Sequence, residues 1–218
     1  MSIDQIDEYE QGERVRNWLK NNGSSLVTGV ALGLAAIGGW NWWQGRESGH
    51  RVEAAGQYAV LTEALEAKDA DKVTALVAAL RKDYADTPYA SLAALREAAW
   101  LQSNGKPEEA LAALDSIAPE TTDRALYELA QLRAARLLLG LERHDEVIKR
   151  LDSLGTSLFA AVADELRGDV ETARGNRDAA RTAYADALAK LDVAAPTRPL
   201  LELKLTDAGG ELPDQPEI

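Results

Sequence analysis

The chain has no cysteine, and this absence excludes several kinds of site at once. A disulfide framework, a thiolate zinc site, an iron–sulfur cluster, a cysteine nucleophile and a lipid attached through cysteine all need that side chain. The compartment stays open, because a cysteine-free chain suits an oxidising space but is also common in the cytosol.

Histidine is scarce as well, and the usual catalytic and metal-binding patterns are missing. His50 and His144 are the only histidines, and neither lies in an HExxH spacing. No GxSxG elbow, P-loop or dinucleotide-binding glycine pattern occurs. Asp164, Glu165 and Asp169 could act as acid and base, but on an acidic helical domain we interpret them as a solvated face. The sequence therefore predicts no enzyme, no metal site and no cofactor, and an enzyme stays a distant alternative.

Positive charge is in the minority and forms no basic block. The 218 residues contain 36 Asp and Glu against 24 Lys and Arg, a net charge of −12. Residues 1–20 carry −2, residues 21–45 carry no charge, and residues 46–218 carry −10. Because nucleic-acid binding usually depends on clustered Lys and Arg that neutralise phosphates, we expect no nucleic-acid partner.

The uncharged stretch is long enough to cross a membrane. Residues 24–43 form a run of twenty, and a helix of that length reaches about 30 Å, the thickness of a hydrocarbon core. Lys20 and Arg46 flank the run, and four of the five tryptophans lie near its ends, as an aromatic belt would place them: Trp18, Trp40, Trp42 and Trp43. The sequence therefore predicts a transmembrane helix over residues 23–45.

Two other interpretations of this stretch stay open. It could be a buried helix of a soluble core, or a signal peptide cleaved near residues 33–35, although the acidic segment before it is long for a signal peptide. Three basic residues precede the span and two follow it closely, which favours a cytoplasmic N-terminus by a margin of one. Gly29 and Gly33 form a small-xxx-small pair, and with Trp40 and Trp43 they are our candidates for packing against another membrane helix.

The acidic remainder has helical spacing and an internal repeat. Four predicted helices begin with an acidic residue, a spacer and a small or β-branched apolar residue, at residues 71–73, 108–110, 145–147 and 178–180. The last members are 37, 37 and 33 residues apart. Twelve residues before these last members, three of the four units have a small residue where two helices could approach closely: Ala98, Ala135 and Gly168. The first unit has Leu61 at this position.

A period near 34 with two helices per unit is typical of the tetratricopeptide class, whose stacked units form a superhelix with a concave surface. Short breaks separate the helices, including Gly140 and Gly175, and Thr87 before Pro88 suits an N-cap. We therefore predict an all-α fold, with a single N-terminal transmembrane helix followed by a tetratricopeptide-like α-solenoid over residues 46–208. Residues 1–22 would be a short cytoplasmic segment and residues 209–218 a flexible tail. An unrelated helical bundle is the alternative.

The groove of such a solenoid is a candidate binding surface. In tetratricopeptide units the first helix of each pair faces the concavity, which nominates Gln102, Arg136 and Asp169. Arg136 could bind a peptide carboxylate or carbonyl, or could simply be exposed to solvent. A two-basic-residue clamp for a C-terminal carboxylate is disfavoured, because Leu95 and Ala99 occupy positions where it needs polar groups.

Three stretches together resemble one known family, the YfgM family of single-span ancillary subunits of the bacterial Sec translocon. The first stretch contains YEQ (9–11), RNWLKNNG (16–23), GVxLGL (29–34) and GWxWWQ (39–44). The second contains ELRGDV (165–170) and ARxAYxxAL (180–188), and the third is RPLLxLKL (198–205). The resemblance extends over nearly the whole chain and is more specific than a tetratricopeptide pattern alone.

The resemblance implies an inner-membrane protein with a periplasmic repeat domain. Its partners would be the Sec channel, a membrane-anchored periplasmic chaperone of the peptidyl-prolyl isomerase type and translocating polypeptides. The favoured function is a non-enzymatic adaptor that assists newly translocated proteins. The alternative is a scaffold that sequesters a cytoplasmic stress-response regulator through the N-terminal segment, where Ile3, Ile6 and Tyr9 could form part of an amphipathic face.

Overall fold

The computed structural model describes residues 3–120 and 122–212, with side chains described from residue 12 onward except at 15 and 121. This part of the chain consists of α-helices and turns and contains no strand, so the predicted all-α class is confirmed. The helices are α1 (Ile3–Glu66), α2 (Ala70–Asp83), α3 (Pro88–Ser103), α4 (Pro107–Asp115), α5 (Arg124–Gly140), α6 (His144–Ser153), α7 (Ala160–Ala173), α8 (Arg177–Lys190) and α9 (Arg198–Asp207).

The chain divides into two compact units, Met1–Glu53 and Ala54–Ile218. The first unit contains most of α1, the one helix among the described residues that is long and apolar enough to cross a membrane. The large aliphatic side chains between Leu26 and Ile37 are 49–69% exposed. A helix in a soluble core would bury these side chains, so the buried-helix interpretation is wrong. Helix α1 is continuous across residues 22–23 and 45–46, where the sequence predicts boundaries.

The second unit is built from helix pairs in the predicted phase. The end of α1 packs with α2 in one core cluster. The following pairs are α3 with α4, α5 with α6 and α7 with α8. Each acidic triplet lies in the first turn of the second helix, and its last member is at most 1% exposed: Val73, Ala110, Val147 and Ala180. Because a residue at this position of every pair packs inward, the 37, 37 and 33 spacing marks one repeated structural unit.

Contacts between helices follow chain order, with a second row of contacts between first helices. Each helix from α2 to α8 packs against the next, and in addition α3 contacts α5 and α5 contacts α7. This is the arrangement of a solenoid, in which each pair stacks on its neighbour. The final helix, α9, covers α8 and buries Leu201 and Leu205 in a cluster with Tyr184 and Leu188.

The predicted close approach of paired helices is confirmed at Gly168. A Cβ atom on this residue would lie 2.3 Å from Cε1 of Tyr184 in α8, far inside van der Waals contact. Ala98 and Ala135 at the equivalent positions are 3% and 0% exposed. The small residues therefore set how closely the helices of a pair can pack.

The turns inside the helix pairs share one left-handed backbone position, which the residue types alone do not predict. Lys68, Gly105, Glu142 and Gly175 have φ of 56°, 73°, 60° and 78°, and they recur at the repeat spacing. In every turn the next residue donates its backbone N–H to a carbonyl five residues earlier, at 2.8–3.0 Å. This is the Schellman motif that ends helices. The sequence pattern marked the third turn by Gly140, but that residue ends α5 and the left-handed position falls two residues later.

One predicted cap is only partly right. Thr87 precedes α3 and Pro88 is its first residue, as expected, but the Thr87 hydroxyl donates to the carbonyl of Tyr84 at 2.8 Å and caps no helical N–H. Of the predicted tail, residues 213–218 lie outside the described residues.

Candidate functional site

Two of the three groove candidates line one cavity. The cavity has a volume of about 270 Å³ and lies between α3 and α5, with α4 beneath. Gln102 and Arg136 border it together with Arg133, which the sequence pattern had not nominated. The remaining lining is apolar: Leu95, Ala98, Ala99, Leu114 and Leu137. The result is an apolar recess whose polar border is made of two guanidinium groups and one amide.

Leu95 and Ala99 line this cavity, which agrees with the reason for disfavouring a carboxylate clamp. Leu95 is 4% exposed and Leu114 is 1% exposed, so the recess is formed by the ends of core side chains. No group of three or more His, Asp or Glu side chains within the described residues could hold a metal ion.

The guanidinium groups at this cavity differ from most other arginines of the repeat domain, with exposed Arg177 at the start of α8 an exception. Arg133 and Arg136 are exposed, and neither makes a hydrogen bond or ion pair with any residue that the structure describes. Elsewhere arginines bridge successive repeats: Arg143 contacts Glu108 at 3.1 Å, and Arg150 contacts Asp115 at 2.7 Å. The cavity therefore presents two uncompensated positive charges on a domain whose net charge is strongly negative.

The third candidate, Asp169, belongs to a different cluster. Lys204 of α9 donates to both Asp169 oxygens at 2.8 and 2.9 Å and to Glu165 at 2.7 Å. The Tyr184 hydroxyl donates to Asp169 at 2.9 Å. These carboxylates are only 19–23% exposed, so their interpretation as a solvated face is wrong. The cluster attaches the last helix to the solenoid.

The electrostatics of this cluster follow from burial and pairing. Burial by itself lowers the pKa of Lys204, but hydrogen bonds to Asp169 and Glu165 outweigh it and raise the pKa overall. Burial raises the pKa of Tyr184, whose hydroxyl also contacts Thr172 at 3.0 Å. Asp169 occupies the repeat position equivalent to Arg136, 33 residues later, but its charge is compensated by Lys204.

A second buried carboxylate, Glu128, holds the loop between α6 and α7. It is 3% exposed and accepts hydrogen bonds from Arg124 Nε at 2.7 Å, from the Ser157 hydroxyl at 2.8 Å and from the backbone N–H of Leu158 at 2.7 Å. Burial raises the pKa of Glu128, but these donors outweigh it and lower the pKa overall. Its role is structural, because every donor belongs to the domain itself.

The transmembrane candidates lie on an exposed helix surface. A Cβ atom on Gly29 or Gly33 would meet nothing within 4 Å in the described structure. The Trp40 and Trp43 rings lie 5.3 Å apart, and the Arg46 guanidinium lies 6.0 Å from the centre of the Trp42 ring. This aromatic and cationic end suits the interface of a bilayer.

Comparison with known proteins gives one family match and several relatives. The model of the tetratricopeptide repeat-like domain matches residues 16–210. A protein of Escherichia coli K12 named ancillary SecYEG translocon subunit is 29% identical over 203 residues, which cover 92% of this chain and 96% of that protein.

Proteins with the same name are similar to the chain in two further bacteria. The Neisseria gonorrhoeae protein is 27% identical over 92% of this chain and 96% of its own length, and the Haemophilus influenzae protein is 25% identical over 84% and 89%. The resemblance to ancillary Sec translocon subunits is thereby confirmed, and it includes both the apolar helix and the repeats.

Proposed function

Because the chain belongs to the tetratricopeptide repeat-like family, we propose that it is a non-enzymatic, membrane-anchored adaptor of the Sec translocon. The observation that carries the proposal is the extent of similarity to ancillary SecYEG translocon subunits, which covers 92% of the chain. Similarity confined to the repeats would indicate only a fold, since tetratricopeptide-like domains serve many functions.

In this proposal the N-terminal segment 1–22 is cytoplasmic, residues 23–45 cross the cell inner membrane, and residues 46–208 form a periplasmic domain with a tail at 209–218. Gly29 and Gly33 would let a translocon helix approach closely, and Trp40 and Trp43 would lie at the membrane surface. The apolar and uncompensated basic cavity between α3 and α5 would receive a partner chaperone of the membrane-anchored isomerase type, or a translocating polypeptide.

Site-specific photo-crosslinking in intact membranes tests the two surfaces separately. A crosslinking amino acid in place of Gly33 should capture a Sec membrane subunit, and one in place of the exposed cavity residue Ala99 should capture a chaperone or a translocating chain. The matched control is Arg177, which is exposed at the start of α8, away from the cavity. If Gly33 captured no Sec subunit, the adaptor proposal would be abandoned.

Alkaline extraction and protease digestion of spheroplasts test the topology. The chain should resist extraction, and external protease should remove the repeat domain. The alternative scaffold function depends on Ile3, Ile6 and Tyr9, whose side chains are not among those that the structure describes. A pull-down with separated pieces decides between the two functions: capture of the main partner by residues 1–22 alone, with none by residues 46–218, would favour the scaffold.

A further inference from the structure

We propose that the cavity between α3 and α5 binds a peptide segment in which acidic side chains lie next to an aliphatic one. This inference rests on the proposed adaptor function and specifies the chemistry of what the repeat domain recognises. The aliphatic side chain enters the apolar recess, and the carboxylates pair with Arg133 and Arg136.

The size of the cavity suits the side chains of a peptide. Pockets for drug-sized molecules and cofactors have volumes of about 300–1,000 Å³. At about 270 Å³ the cavity is at the lower end of that range, a size that suits one or two side chains. Its lining of leucine and alanine favours an aliphatic group, because any polar group placed there would lose its hydrogen bonds to water.

The charge of the cavity selects carboxylates. Arginine presents a planar fork of donors that matches a carboxylate, and both guanidinium groups lack a partner among the described residues. The domain has carboxylates in excess, yet the acidic side chain at the position equivalent to Arg136, Asp169, is bound by Lys204. Among the arginines without a described partner, Arg133 and Arg136 are the two that line the cavity, where they can pair with carboxylates of another molecule.

Arg133 and Arg136 also have a suitable spacing. Residues three apart in a helix lie on the same face, so both guanidinium groups extend from one side of α5 toward the border with α3. Gln102 on α3 adds an amide that can donate to a peptide carbonyl and accept from a peptide N–H. The cavity thus provides a side-chain recess, charge recognition and a backbone contact within one repeat boundary.

The test uses the full chain in nanodiscs and fluorescence polarisation of a defined peptide set. Each dodecapeptide is acetylated and amidated, contains glycine and serine as filler, and places a Glu-Glu pair one to four residues before or after a single Leu. Matched sets replace Glu by Gln, Glu by Lys or Leu by Ser, and one neutral set has a free C-terminal carboxylate. At least one Glu-Leu peptide should bind, and all matched sets should bind more weakly.

Variants assign the binding to the cavity. Arg133→Gln with Arg136→Gln should weaken binding about tenfold, the combined effect expected of two partly exposed ion pairs. Arg177→Gln removes an exposed arginine elsewhere and should change nothing. Arg133→Glu with Arg136→Glu should reverse the preference and bind the Lys-Leu set, a result that a merely unfolded variant cannot give. Raising the salt concentration from about 0.05 to 0.5 M should weaken wild-type binding, because the charges are exposed.

Several outcomes would overturn the inference. These are no binding by any Glu-Leu peptide, equal binding of the Gln-Leu set, preferred binding of the neutral peptides with a free carboxylate, or unchanged affinity in the double glutamine variant. Co-purification of Sec subunits with the double glutamine variant is measured alongside. Retained co-purification with unchanged peptide affinity refutes only the cavity chemistry, whereas absence of Sec subunits from the wild-type chain refutes the adaptor function itself.

Discussion

Replacing Gly168 with alanine tests the closest contact between paired helices. The new Cβ atom would lie 2.3 Å from Cε1 and 2.5 Å from Cδ1 of Tyr184, whereas carbon atoms in contact are about 3.5–4.0 Å apart. The ring would have to move by more than about 1 Å to restore such a distance. It is 3% exposed, and its hydroxyl is held by Asp169 at 2.9 Å and Thr172 at 3.0 Å, so the movement breaks packing and hydrogen bonds together.

The expected magnitude combines three effects on the free energy of unfolding. Overpacking of a core costs about 1–3 kcal/mol, and loss of one hydrogen bond costs about 1 kcal/mol. Alanine returns about 1 kcal/mol, because it has a higher helix propensity than glycine. We therefore expect a net destabilisation of about 2 kcal/mol, which lowers Tm by about 4–8 °C in a domain of this size.

Urea denaturation of the full chain in detergent micelles, followed by circular dichroism, measures this change. The matched control is Gly56→Ala in α1, where a Cβ atom meets nothing within 4 Å and the substitution should stabilise by about 1 kcal/mol. In a Tyr184→Ala background, Gly168→Ala should become neutral or stabilising because the ring is gone. If Gly168→Ala instead behaved like Gly56→Ala in the wild-type chain, the close contact would carry no energy and the reasoning would be refuted.

Three further predictions concern turns and buried charges, each measured by urea denaturation. Glu142 has φ of 60°, a left-handed conformation that favours glycine, so Glu142→Gly should stabilise the domain by about 0.5–1 kcal/mol. Gly105→Ala at φ of 73° should destabilise it, and stabilisation by both substitutions would contradict the argument. Glu128→Gln should destabilise by about 2 kcal/mol at pH 7. Folding lowers the pKa of Glu128, so its contribution to stability is complete above the unfolded pKa of about 4.3 and is lost as pH falls through the folded pKa. The stability difference between wild type and Glu128→Gln should therefore shrink in strong acid, and an equal difference at pH 7 and in strong acid would contradict this assignment. Lys204→Met should destabilise by about 3 kcal/mol, because it leaves two partly buried carboxylates without their cation. Folding raises the pKa of Lys204, so the stability difference between wild type and Lys204→Met should persist up to the unfolded pKa of about 10.4 and shrink as pH rises through the folded pKa. A larger difference at high pH would contradict the ion pairing of Lys204 with Glu165 and Asp169.

The repeat phase was predictable because burial recurs at fixed positions. Val73, Ala110, Val147 and Ala180 have no common identity, but each is an apolar residue after an acidic first turn. The left-handed residue of the turns was less predictable, because glycine occupies it only at Gly105 and Gly175. The same spacing of 37 residues from Gly105 leads back to Lys68 and forward to Glu142, so the repeat itself contained the missing signal.

The candidate site was predicted in part. Gln102 and Arg136 do line one cavity, because the first helices of neighbouring pairs face it. Arg133 was missed as a lining residue, although it recurs 37 residues after Arg96 and its position relative to Arg136 places both on one side of α5. Asp169 was nominated by the same repeat logic, which cannot foresee that a lysine on a later helix would bind it.

The order of charges and the hydrophobic period were settled by the sequence itself. A small acidic segment, an uncharged stretch of membrane length and an acidic helical repeat follow from local composition and spacing, because helix formation and burial depend on neighbours three or four residues away. Which charges remain available is decided only by the tertiary structure. Lys204 reaches Asp169 across 35 residues and Arg143 reaches Glu108 across 35, whereas Arg133 and Arg136 meet no described carboxylate. Ion pairing over such separations depends on how the helices stack. The same stacking places Arg133 and Arg136 beside an apolar cavity without a described partner, which makes them a candidate binding surface.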